Sequence, residues 1–96
     1  MSKRKKYDPK LIKIGQFIEK QRKIIYPEFQ TREKFIDIVS QEIFGGEQWI
    51  SVRHLSNIEL GKNLPSFELM IKLSVALDLK TIDFFAKLIE IYLSDE

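Results

Sequence analysis

The sequence predicts an all-α domain of five short helices. Three observations carry this: apolar residues recur at helical spacing in five separate runs, glycine or proline punctuates the gaps, and a capping residue opens most runs. No stretch alternates as a strand would, and no segment repeats. With 96 residues the chain has material for one core and not for two.

Residues 1–7 read as a flexible basic arm, and residues 8–96 as a single domain. Asp8-Pro9 opens the first helix, as N-cap and first helical residue, and the run over 10–25 turns Leu11, Ile14, Phe17 or Ile18, Gln21 and Ile25 inward. Glu19 and Lys23 form an i, i+4 pair in the favourable order, and Pro27 ends the helix. Thr31 caps a second helix with Glu33 in its first turn and Phe35, Ile36, Val39 and Ile43 as its apolar face, and Gly45-Gly46 stops it. Residues 47–50 are irregular or a single turn. Ser51 then caps a short third helix over 52–60, with Leu55 and Ile58 inward. Gly61 stands where that helix needs a left-handed residue to close its last turn. Pro65-Ser66 opens a fourth helix over 66–77, with Leu69, Met70, Leu73, Ala76 and Leu77 inward. Thr81 is expected to cap a fifth over 82–93, TIDFFAKLIEIYL. Its charges Asp83, Lys87 and Glu90 fall on one stripe, so more than half its circumference is apolar. One domain needs only one such face. The surplus, drawn from Phe84, Leu88, Ile91 and Tyr92, is expected to form a two-fold dimer interface.

Composition narrows the function classes. There is no cysteine, which excludes a disulfide scaffold or a thiolate site, and the single His54 leaves no set of zinc ligands. No nucleophile and base are grouped, and Gly61-Lys62 lacks the upstream glycine of a phosphate loop, so no enzyme, metal or cofactor is expected. No apolar run reaches the ~20 residues of a membrane span, and the basic start has no apolar stretch behind it, which together suggest a cytoplasmic protein. The formal charge of +2 hides an asymmetry. Residues 1–23 hold nine Lys and Arg against Asp8 and Glu19, while the rest holds seven against twelve acids. A chain basic at one end and acidic elsewhere points to a local anion-binding surface.

The segment Ser56-x-Ile58-Glu59-x-Gly61-Lys62-x-x-Pro65-Ser66, followed by Leu69, Leu73, Ala76 and Leu77, resembles the lambda-repressor-like helix-turn-helix domains of the Xre family. Ile14-Gly15-x-x-Ile18-x-x-x-Arg22 is similar to that family's first helix, and Thr31-Arg32-Glu33-Lys34-Phe35 to the opening of its second. The resemblance spans about residues 11–90. It implies a five-helix bundle whose third helix enters the major groove of double-stranded DNA by its N-terminal end. The connection QEIFGGEQWI is longer than the family's turn between helices two and three, so either helix two is extended or the turn carries an insertion.

On this resemblance Val52, Arg53 and Asn57 face the base edges: arginine suits guanine, asparagine suits adenine, and valine offers only apolar contact. Arg32, Ser51, Lys62 and Asn63 face backbone phosphates, the turn bringing up the Lys62 side chain and the backbone of 62 and 63. Arg22 and Glu59 match a pair that ties helix one to helix three. Trp49 is expected to anchor the core, with a DNA-backbone contact as second choice, and His54 to pack on helix two or face solvent. The leading expectation is a dimeric transcriptional regulator, a repressor at a palindromic operator, with a protein or peptide effector left open. The alternatives are the antitoxin of a toxin–antitoxin operon and a helical interaction domain that binds no DNA.

Overall fold

The computed structural model describes residues 8–94, and the regular structure among them is entirely helical. The order is α1 Pro9–Ile25, α2 Arg32–Glu42, α3 Val52–Glu59, α4 Phe67–Ala76 and α5 Thr81–Leu93. The basic arm expected at residues 1–7 lies outside the described residues.

Local chemistry sets most of the helix starts. Asp8 accepts the Lys10 N–H at 2.9 Å with Pro9 at the first helical position. Thr31, Ser51 and Ser66 each accept an N–H three residues on, at 3.2, 3.0 and 3.2 Å. Thr81 does not cap α5. It is the first helical residue, Lys80 occupies the cap without a side-chain bond, and the Thr81 hydroxyl lies 2.8 Å from Ser74 Oγ. Because Ser74 donates its proton to the Ile71 carbonyl at 2.7 Å, Thr81 is the donor in that pair.

The ends are as specific. Gly61 has φ +81°, the Gly61 N–H reaches the Ile58 carbonyl at 3.1 Å, and the Lys62 N–H reaches that of Asn57 at 2.8 Å. This pair of bonds is a Schellman closure around a left-handed residue. The same pattern closes α4 around Asp78, at φ +59°, with Asp78 N–H on Val75 and Leu79 N–H on Ser74.

One core gathers residues from all five helices, including Ile14, Ile18, Phe35, Val39, Leu55, Ile58, Leu73, Leu77, Phe84 and Leu88. On α1 it is Ile18 that enters the core. Phe17 lies at the margin against Phe84, and Gln21 and Ile25 are half-buried beside the stripe. Met70 likewise is only partly covered. Ile43, expected inward, is exposed, because α2 ends at Glu42 and Ile43 is already its C-cap.

Two helices meet backbone to backbone. A Cβ on Gly15 would collide with the Ile58 and Glu59 carbonyls, and one on Gly61 would lie 2.6 Å from Ile12 Cα. Glycine at both positions lets α1 lie directly on α3.

The extra length expected between helices two and three lies in the loop that follows α2, which ends at Glu42. Residues 43–51 leave α2 through Gly45 and Gly46, both at positive φ. The Gly46 N–H and the Ser40 hydroxyl fold the loop back, the first onto the Ser40 carbonyl at 2.8 Å and the second onto the Glu47 carbonyl at 2.6 Å. Trp49 then anchors it. Its indole N–H donates to the Ile36 carbonyl at 3.2 Å, and its ring packs on Phe35 and Phe44 with centroids 6.0 and 5.1 Å apart. A buried indole with its N–H satisfied is a strong staple, so the long loop still delivers α3 in a fixed orientation. Its donor faces inward, so Trp49 does not offer it to DNA.

Candidate nucleic-acid interface

Helix α3 is anchored by its second half. Leu55, Ile58 and Glu59 are buried, while Val52, Arg53 and His54 in the first turn are exposed and Asn57 is half-buried. Arg53 and Asn57, four residues apart, share one face of the helix. The N-terminal turn is thus presented outward with Val52, Arg53 and His54, and Ser51 at its cap is exposed as well.

The turn after α3 holds Lys62 and Asn63 at the surface. Both backbone N–H groups are engaged within the turn, on the Asn57 carbonyl at 2.8 and 3.4 Å. This corrects the expectation that the backbone itself would meet a phosphate. What the turn offers to an anion is the Lys62 ammonium and the Asn63 amide side chain.

Behind α3 lies a charged centre. Arg22 donates from Nε to Glu59 Oε2 at 2.7 Å, from Nη2 to Oε1 at 3.0 Å, and from Nη1 to the Gln30 carbonyl at 2.7 Å. Arg22 is 1% exposed and Glu59 2%. Such a pair is tolerable inside only because its bonding capacity is filled, and no buried side-chain polar atom among the described residues lacks a partner. Arg32, expected to face a phosphate, also meets the Glu59 carboxylate. Its Nε donates to Glu59 Oε1 at 2.7 Å, and its side chain is 27% exposed. A carboxylate 27 residues away leaves no local signal, so the sequence did not announce this contact.

The flank of α3 is acidic on one side. Glu33, Asp37 and Val52 border a shallow hollow of about 280 Å³ formed with the inserted loop. The expected dimer residues divide in two. Phe84 and Leu88 are buried in the domain's own core, Ile91 is half-buried and Tyr92 is exposed. The apolar residues that α5 leaves outward are Ile82, Ile89 and Leu93 alongside Tyr92, and α4 adds Phe67, Ile71 and Val75.

Among the described residues no three His, Cys, Asp or Glu side chains are grouped to hold a metal, and no helix is long and apolar enough to cross a membrane. Comparison with known proteins gave a match of residues 45–85 to the family described as Helix-turn-helix. Neither the curated proteins nor the solved structures gave a match. The matched segment runs from the inserted loop through α3, the Gly61 turn and α4 into α5, the part that carries the outward N-terminal turn. Over residues 45–85 this chain is similar to the lambda-repressor-like helix-turn-helix family, the Xre group of DNA-binding transcriptional regulators.

Proposed function

We propose that the protein is a sequence-specific repressor that binds an inverted-repeat operator as a homodimer in the cytoplasm. The observation that carries this is the division of α3: its C-terminal half is anchored in the core while its first turn presents Val52 and Arg53 outward, with the half-buried Asn57 one turn on from Arg53. In this reading Arg53 reads a guanine, Asn57 an adenine, and Val52 packs on a thymine methyl. Ser51, Lys62, Asn63 and Arg32 hold the flanking phosphates, which fixes the register without carrying sequence information. The chemistry is binding alone, with no catalytic step, cofactor or metal.

The dimer is drawn from the outward face of α5. Ile82 is 80% exposed and Leu93 69%, an unusual loss of apolar burial for a helix of a small monomer. A two-fold contact there would cover it and set two recognition helices about one turn of DNA, ~34 Å, apart. The apolar surface continues onto α4 through Phe67, which also supports the antitoxin reading, in which the same domain holds a protein partner.

Selection from sheared genomic DNA at near-physiological salt, followed by sequencing, tests the proposal. Enrichment of one inverted repeat is the expected result, with R53A and N57A each relaxing the choice at one base position. Salt-sensitive binding without any enriched site would refute sequence-specific repression. No binding at all would leave a helical interaction domain.

A further inference from the structure

We infer that Glu59 positions a phosphate contact: its carboxylate holds the Arg32 guanidinium at the mouth of a hollow between the starts of α2 and α3, ready for a DNA backbone phosphate. The inference rests on the DNA-binding reading above and adds a residue to it.

One carboxylate here serves two guanidinium groups. Arg22 already meets Glu59 in bidentate fashion at 2.7 and 3.0 Å, which is sufficient to neutralise it. Arg32 is therefore a surplus cation. It uses Nε on Glu59 Oε1 at 2.7 Å and has no other partner among the described residues, so its terminal nitrogens keep their donors. A guanidinium held at one edge and open at the other is suited to forked recognition of a phosphate.

Its surroundings fit an anion. The hollow, about 360 Å³, is bordered by Thr31 and Arg32 at the start of α2, by Val52 at the start of α3, and by Glu19, Lys23 and Gln30. Two helix N-termini converge on it, both favouring negative charge. Lys23 is paired with Glu19 at 3.1 Å, and Glu33 at the rim opposes an anion, which leaves Arg32 as the principal donor. Glu59 is also the last residue of α3. The clamp on the backbone and the helix that reads the bases are thereby joined through a single side chain.

The test measures fluorescence anisotropy of the full chain on a labelled duplex of the enriched site, from about 50 to 300 mM salt. The variants are R32Q, R32K, E59Q and R32Q/E59Q, each checked for folding by circular dichroism at the assay temperature. R32Q should lower the slope of log affinity against log salt by about 0.9, the loss of one phosphate. E59Q should weaken binding by about tenfold, the scale of one charged hydrogen bond, when Arg32 is present, and barely when it is replaced. If E59Q does not fold, R32K carries the test: it keeps the charge but not the fork, so the slope should hold while affinity falls severalfold. An unchanged slope in R32Q, an equal effect of E59Q in both backgrounds, tighter binding by E59Q, or full affinity in R32K would each overturn the inference while DNA binding stands. A wild-type protein with no salt-dependent binding would instead remove the DNA-binding reading itself.

Discussion

Replacing Gly15 by alanine should destabilise the protein although alanine is the better helix former. At a solvent-facing helical site the exchange gains about 1 kcal/mol. Here the new Cβ would stand 2.5 Å from the Ile58 carbonyl oxygen, about 0.9 Å short of ordinary contact at 3.4 Å. The obstructing atoms are backbone, so no rotamer change relieves the clash, and α1 and α3 must separate. Overpacking of that kind costs about 1–3 kcal/mol. Separation also strains the Arg22–Glu59 bonds, since Glu59 carries one of the obstructing carbonyls, and a fully broken buried pair costs about 3–5 kcal/mol. With the propensity gain subtracted and about half of the pair's cost counted for the strain, the net loss is roughly 2–4 kcal/mol, against a total near 0.05–0.15 kcal/mol per residue. Urea unfolding followed by the fluorescence of Trp49, the single tryptophan, would measure it. The melting temperature should fall by roughly 10–25 °C. Gly45→Ala is the control: unlike Gly15 it has a positive φ, but its Cβ would meet nothing within 4 Å, so only a left-handed penalty of about 1 kcal/mol applies. A G15A protein as stable as wild type would refute the backbone contact between α1 and α3.

Glu59→Ala strands Arg22 in the core and should cost about 3–5 kcal/mol, whereas Arg32→Ala, which removes a partly exposed partner, should cost about 1 kcal/mol or less in the same denaturation assay. Asp78→Gly should stabilise by about 0.5–1 kcal/mol, seen as a melting temperature several degrees higher, because Asp78 closes α4 at φ +59°. Ile89→Asp should turn the proposed α5 dimer into a monomer by sedimentation without lowering the monomer's stability, while Phe84→Ala should unfold more easily by about 3–5 kcal/mol, because only the first residue is exposed. Trp49→Ala should cost a similar amount and blur α3, which amide exchange would report as lost protection in residues 43–58.

Whatever depends on neighbours along the chain could be read from the order of amino acids alone. Asp8, Thr31, Ser51 and Ser66 accept bonds from residues two or three positions on, and Gly61 closes the turn directly behind α3. These interactions span one helical turn, so the residue types at fixed offsets were sufficient to read them, and the five-helix order followed. The family resemblance was legible for the same reason, since its glycine, proline and apolar residues keep their offsets from α3 into α5.

Tertiary structure decided what depends on which face meets which. α5 is apolar most of the way round, and periodicity cannot choose the buried side of such a helix. Packing against α1 and α4 put Phe84 and Leu88 inside and left Ile82, Ile89 and Leu93 out. Thr81 offered the chemistry of a cap, but docking of α5 on α4 brought its hydroxyl to Ser74 instead. Ile43 kept the helical spacing of α2 yet fell beyond its end, because the inserted loop turns away at the glycines and returns on Trp49. Arg32 could be read from the sequence as a phosphate-facing cation, but its carboxylate partner Glu59 arrives only when α3 packs beside it, across 27 positions of chain. Local bonds are fixed by sequence offset; a charge's partner, or a helix's buried side, exists only once distant segments share the same space.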